Sequence, residues 1–392
     1  MYRTIDELVI RVDERNTDKS VSELIGVSID KCFIKSVANT NGTDLSKYKI
    51  IRKNDFAVSL MQVSRDSKIP VARLEEYDVA IMSPAYPIFR VKDEKVILPE
   101  YLDMWFKRPE FDREAAFIAV GGVRGSMPWE EFAKMRLPVP SIERQQQIVK
   151  AYKTVADRIV LKKQINDNLD ASIQALFEKM FTDANINLAE SIIKHTSVSS
   201  EWIDSTIESY ASVQTGPFGS QLHNEDYVDE GTPIITVEHM DGKYIAHRNL
   251  PLVSDDDVVR LNKYDLRTGD IVFSRVGSVD RAVMVTGHEN GWLFSGRCLR
   301  VRPHNANTGC YFLWWFNQPV IKQLVVSSAV GATMPSINTS ILSQIRLLLP
   351  PTDLLNNFCS FADTIIESIA DNLEEIRKLE SLKTFIQESL SR

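Results

Sequence analysis

Cysteine is scarce, at four in 392 residues (Cys32, Cys298, Cys310, Cys359), and no Cys-x-x-Cys pair occurs. A disulfide framework and a zinc ribbon are both excluded, and a reducing cytoplasm is the expected compartment. There is no run of about 18 apolar residues, so no membrane-spanning helix is expected. The opening MYRTIDELVIRVDERN lacks a basic stretch followed by an apolar one, so no secretory leader is expected. The six histidines (His195, His223, His239, His247, His288, His304) do not fall at metal-ligand spacing. His239 and His247 are expected in solvent-exposed loops. Neither Gly-x-Gly-x-x-Gly after a strand nor a Gly-x-x-x-x-Gly-Lys-Ser/Thr loop is present, so cofactor and ATP cradles of those types are absent.

What is present is an ordinary globular composition, 44% apolar and 25% charged. The length fits two or three domains. A net charge of −7 taken alone disfavours a polyanionic partner, but the charge runs in blocks. Residues 31–73 hold nine Lys/Arg against three Asp/Glu, and 260–302 hold eight against four. Between them, 201–257 has twelve acids and two bases. Local potential, not the sum, decides whether phosphate binds.

The chain repeats itself. Tyr101, Trp105, Phe106 and Pro109 recur as Tyr311, Trp315, Phe316 and Pro319, an offset of 315 − 105 = 210. The same offset joins Arg90-Val91 to Arg300-Val301, Gly121 to Gly331, Arg136-Leu137 to Arg346-Leu347, Pro140 to Pro350 and Val27 to Val237. RKNDFAVS (Arg52, Asp55, Ser59) aligns with RTGDIVFS (Arg267, Asp270, Ser274) at 215. A collinear series of this kind means two copies of one unit.

Each copy ends in prolines and a helix-forming segment, with Ser141 or Thr352 as N-cap. Behind the first cap a heptad seam steps through Ile148, Tyr152, Val155, Ile159, Lys162, Asn166, Leu169, Ile173, Leu176 and Met180. Behind the second it runs Phe358, Ala362, Ile365, Ile369, Asn372, Ile376, Leu379, Lys383, Ile386 and Leu390. Each predicts a helix of roughly 60 Å. The polar seam residues would fix register; alternatively the seam slips there onto Ile165 or Leu373. Packing the helices on each other as an antiparallel pair would put the globular units at opposite ends.

The boundaries expected are a first globular domain at 1–140, its helix at 141–181, a Ser/Thr/Asn-rich linker at 182–200, a second domain at 201–350 and its helix at 351–392. Short β-rich runs beside the helical stretches 99–108 and 309–318 indicate an α+β class for both domains. Gly and hydroxyl residues gather in 215–220, 275–278 and 331–334, the last corresponding to 121–126. Such loops can offer donors to phosphates, and interleaved arginines can reach base edges, although each also reads as ordinary turn chemistry. Nucleic-acid contacts are therefore sought at Lys47, Lys49, Arg52, Lys53, Arg65, Arg124 and Ser126 in the first domain. In the second they are sought at Thr215, Ser220, Arg267, Arg275, Ser278, Arg281, Arg297 and Thr333. No catalytic residue and no metal site is assigned. Ser83-Pro84-Ala85-Tyr86 lacks the second proline of the motif with which amino-methyltransferases grip a base, and is read as a strand-end turn. Asp255-Asp256-Asp257 is read as a solvated helix start.

The chain resembles the DNA-specificity (S) subunits of type I restriction–modification systems. The segments that carry the resemblance are EWIDSTIESYASVQTGPFGSQL, YVDEGTPIITVEHM, LRTGDIVFSRVGS and VGATMPSINTSILSQIRLLLPP, with weaker counterparts at 52–59 and 121–149. It implies two target recognition domains and a pseudo-twofold helix pair that docks two methyltransferase (M) subunits. Restriction/translocase (R) subunits would join them. It also implies double-stranded DNA as ligand, read as a bipartite asymmetric target. S-adenosylmethionine, ATP and Mg2+ would be held by the partner subunits, none by this chain. An orphan subunit serving methylation only, and a coiled-coil adaptor without a DNA role, remain open on the sequence.

Overall fold

The computed structural model describes residues 1–36, 43–61, 63–119, 125–181, 201–217, 221–331 and 333–391. The expected linker 182–200, together with Gly121, Arg124 and Ser220, lies outside them. The chain divides into two units, Met1–Ile159 with Leu379–Arg392, and Val160–Lys378. Among the described residues no helix is long and apolar enough to cross a membrane.

In the first unit, β1 (Val9–Val12), β2 (Phe56–Val58), β3 (Val71–Arg73) and β4 (Ile88–Val91) form an antiparallel sheet in the order β1-β4-β2-β3. Phe56-Ala57-Val58 is wholly buried, and Phe56 stacks on Phe89 at 5.2 Å. Helices α1 (Pro99–Phe106) and α2 (Pro109–Ile118) cover the sheet, each opened by a proline whose missing N–H costs nothing there. Then come α3 (Trp129–Lys134) and the long α4 (Ile142–Phe181), with Arg136–Pro138 pairing back to Tyr2–Thr4.

The second unit rebuilds this plan. Strands β5 (Ala211–Thr215), β6 (Ile271–Ser274), β7 (Ala282–Met284) and β8 (Cys298–Pro303) take the matching order β5-β8-β6-β7. Helices α5 (Gly309–Asn317), α6 (Pro319–Ser328), α7 (Thr339–Ser343) and α8 (Thr352–Glu388) follow, and Ile203–Thr206 pairs with Arg346–Leu349. The hydroxyl of Tyr101 donates to the Pro138 carbonyl, and that of Tyr311 to the Leu348 carbonyl, a correspondence at offset 210 in both partners.

One expected equivalence is wrong. Phe56 lies opposite Phe89, whereas Ile271 lies opposite Val301. Because Phe56 and Ile271 both follow the matched aspartates, Arg90 corresponds to Arg302, not to Arg300. The side chains agree: Arg90 forks onto Asp55 at 2.9 and 2.9 Å, and Arg302 onto Asp270 at 2.8 and 2.7 Å.

The helices bury their seams within each unit. In the first, the Ser141 hydroxyl caps α4 by accepting from the Arg144 amide at 3.4 Å. Ile148 and Tyr152 are half-buried against the core, and Val155 and Ile159 are buried. Lys383 lies 5.5 Å over the Tyr152 ring, and Leu379 is half-buried. In the second unit, Ile173, Phe177 and Phe181 are fully buried with Phe358, the Phe177 and Phe358 rings 5.6 Å apart. Asn166 accepts from Asn372 at 2.8 Å, and Lys162 donates to Asn372 at 2.6 Å and pairs with Glu375 at 2.8 Å. Phe177 thus meets Phe358 where Asn166 meets Asn372, an antiparallel crossing. Ile165 and Leu373 stay 37% and 36% exposed, so the asparagines, not these residues, occupy the seam. Leu169 is half-buried, and Ile369 and Ile376 are buried, while Ile366 is buried more deeply than Ile365. Thr352 is the first residue of its helix, not the cap before it.

Polar contacts fasten loops of the second unit to its helices. Lys243 and Tyr244 bind Asp170 of α4, His247 bridges Glu289 and Glu374, and His288 lies 3.1 Å from Asp371. The Arg377 hydrogen bond, with Lys378 adding, holds the Glu374 carboxyl at about 2 against its ordinary 4.5. A depressed acid contributes stability above its unfolded pKa and loses it as pH falls through the folded one. The gap in urea midpoint between wild type and Glu374→Gln is therefore expected to be full above about pH 4.5 and to close toward about pH 2. Circular dichroism at stepped pH reads it; a gap independent of pH would contradict the assignment.

Candidate nucleic-acid interface

Each sheet has two unlike ends. At one end a turn brings in a buried aspartate. Asp55 accepts from the Arg52 amide at 3.0 Å and Asp270 from the Arg267 amide at 2.8 Å, each beneath its arginine fork. The first unit's helix is tied in on this side, where buried Gln145 accepts from the Leu98 amide and donates to the Val96 carbonyl, 2.9 Å each. Arg52, Lys53 and Arg267 stand here. Arg52 pairs with Glu14, Lys53 with Asp78 at 3.7 Å, and Arg267 with Asp265 at 2.8 Å.

The opposite end carries the loops. In the second unit β5 finishes at half-buried Thr215, β6 leads into 275–281, and β8 starts after Arg297. The backbone ties these loops together. The Arg275 amide donates to the Arg297 carbonyl at 2.9 Å, Gly277 to Pro335 at 2.9 Å, and Ile337 to Arg275 at 3.0 Å. Gly216 passes so near the neighbouring loop that a Cβ there would fall 2.2 Å from the Ser295 carbonyl oxygen, which accounts for the glycine after Thr215. Ser278, Arg281, Arg297 and Thr333 are exposed, while Arg275 is half-buried and donates to the Gly296 carbonyl at 2.8 Å. Among the described residues no carboxylate pairs with Arg281 or Arg297, so both guanidinium groups face solvent ready for an anion.

The first unit brings fewer of its candidates to this end. Lys47 and Arg65 are exposed there, Arg65 with Asp66 at 2.8 Å, and Ser126 precedes Met127, whose amide donates to the Leu60 carbonyl at 2.9 Å. Lys49 is only 6% exposed: its ammonium donates to the Tyr86 carbonyl at 3.0 Å and lies 3.4 Å from Asp13, which removes it from any interface. Ser83–Tyr86 is a turn, closed by the Tyr86 amide on the Ser83 carbonyl at 3.2 Å. Asp255 opens a helix capped by Ser254, whose hydroxyl accepts from the Asp257 amide at 3.2 Å.

The histidine expectation fails. His239 is 3% exposed, its Nδ1 accepting from the Thr236 amide at 3.0 Å, and burial pushes its pKa down. His247 is also largely enclosed, 4.7 Å from the Trp292 ring. His239 borders an open depression of about 570 Å3 beside Arg297, to which Thr236, Glu238 and Asn249 also contribute. These polar groups were not anticipated, since no spacing rule marks residues that meet only through folding.

Two unlike copies of one sheet, each with an open loop-bearing end, form the geometry. Residues 199–383 match the family model of the type I restriction modification DNA specificity domain. The second half of the chain is therefore similar to the DNA specificity domain of type I restriction–modification systems. Among relatives, the MjaIX type I restriction enzyme specificity subunit of Methanocaldococcus jannaschii is 21% identical over 295 residues, 73% of this chain and 67% of that one. The crystal structure of a type I S subunit from M. genitalium superposes with a TM-score of 0.63 at 13% identity, over 100% of this chain and 96% of that one. That likeness is one of fold, and it extends to the half of the chain that precedes the matched domain.

Proposed function

We propose that this chain is a type I specificity subunit that reads duplex DNA in two places, one per unit, with the loop-bearing end of each sheet, and performs no chemistry itself. The observation that carries this reading is the repetition of one sheet with the same open end, furnished with different side chains. Because the matching loops are furnished differently, with Arg275, Arg281 and Arg297 in the second unit against Arg65 in the first, the two half-sites differ. The target is a bipartite, asymmetric motif with an unread gap set by the helix pair, with half-sites about one helical turn apart. Exposed guanidinium groups suit guanine O6/N7 or phosphate, and Ser278 and Thr333 suit phosphate oxygens. The amphipathic helices dock two M subunits, which supply S-adenosylmethionine and methyl transfer, and R subunits add ATP- and Mg2+-dependent cleavage.

Co-expression with an M subunit, followed by single-molecule methylation sequencing of host DNA, is expected to reveal methylation at one gapped motif with unlike halves. A stable complex that leaves no new motif would overturn the reading in favour of an adaptor.

A further inference from the structure

Val330–Gly331 and Thr333–Ser336 stand at the loop-bearing end of the second sheet. Val330 and Ser336 exchange both backbone hydrogen bonds at 2.9 Å, and Pro335 and Ile337 tie this segment to the arginine-bearing loop through Gly277 and Arg275. Gly331 has φ +107, and a Cβ there would lie 2.7 Å from the Met334 carbonyl oxygen, so the tight turn demands glycine. Here Val330 is 65% exposed and Met334 64% exposed, and the loops tied to this segment through Arg275 and Gly277 carry exposed Arg281 and Arg297. Two large apolar side chains held in water on a basic surface are a contact awaiting an apolar partner. A duplex offers one such group in its major groove at base-edge level, the C5-methyl of thymine.

We propose that Met334, supported by Val330, is a specificity-determining contact to a thymine methyl in the half-site read by the second unit. This rests on the DNA-reading function proposed above and adds a base identity to it. Phosphate contacts of the flanking arginines bring Met334 to the groove. The flexible thioether then covers the methyl, which cytosine, lacking a methyl there, cannot replace. The position 210 residues earlier is Arg124, a guanine-reading type of side chain, and that difference again makes the half-sites unlike.

The test uses the complex with M subunits and duplexes carrying the motif found by methylation sequencing. Each thymine is replaced in turn by deoxyuridine, which removes only the methyl group. Burial of one methyl corresponds to about a fourfold change in affinity. Wild type is expected to lose about that much at one thymine of one half-site. Met334→Ala should lose a similar factor on the natural duplex and become indifferent to deoxyuridine at that thymine. Met334→Leu should retain the discrimination, and unchanged thermal melting of both variants shows that the fold is intact. Wild type indifferent to every deoxyuridine, a motif whose halves contain no thymine, or Met334→Ala retaining the full deoxyuridine penalty would each overturn the proposal. None of these outcomes touches the DNA-reading function, which fails only if the wild-type complex shows no motif-dependent binding.

Discussion

Asp270→Ala is expected to destabilise the second unit by about 3 kcal/mol, the range for breaking a buried ion pair by removing one partner. Asp270 is 1% exposed, holds both prongs of Arg302 and accepts from the Arg267 amide, so its loss strands two donors at once. Arg302 keeps its hydrogen bond to the Asp265 carbonyl at 2.9 Å and a contact with the Asp265 carboxylate at 3.5 Å, which limit the damage, but the turn amide has no such substitute. The matching change Asp55→Ala should cost roughly half as much, because the Arg90 side chain is 39% exposed against 21% for Arg302 and can turn to water. Urea unfolding of the two variants decides it. Equal losses, or a loss below about 1 kcal/mol for Asp270→Ala, would mean that the forks do not hold the sheets.

Arg281→Ala combined with Arg297→Ala should weaken binding of the methylation motif by at least about fivefold per residue, given about 1–3 kcal/mol for a base-reading arginine. Arg267→Ala should leave affinity within about twofold, since it stands at the far end of the sheet, paired with Asp265. Salt titrations separate the possible roles. A lost phosphate contact lowers the slope of log affinity against log salt by about 1, whereas a lost base contact relaxes preference at one position. If Arg267→Ala proved as damaging as the double variant, the loop-bearing end would not be the reading surface.

The sequence and the fold agree most closely where the signal is local or periodic. The repeat at offset 210 was legible because Tyr101 and Tyr311 hold the same carbonyl-bonded place in the core. The helices were legible because apolar residues recur at heptad spacing from Ile148 to Ile173 and from Phe358 to Ile376, whereas the antiparallel meeting of Asn166 with Asn372 is visible only in the fold. The candidate interface was legible only as a pool of basic residues. Lys49 and Arg297 look alike in the chain, yet one is sealed against Tyr86 and the other is exposed.

By itself, then, the sequence determined that there are two copies of one α+β unit, that two long amphipathic helices follow them, and that the motifs of common cofactor sites are missing. Each of these is a matter of spacing along the chain, which needs no knowledge of what pairs with what. Only the tertiary structure decided that Arg302 rather than Arg300 grips Asp270, that His239 is buried, and that Arg267 and Arg275 stand at opposite ends of one sheet. The physical reason is strand pairing. A shift of two residues returns every side chain to the same face of a strand, so Arg300 and Arg302 satisfy the same pattern until the neighbouring strand sets the register.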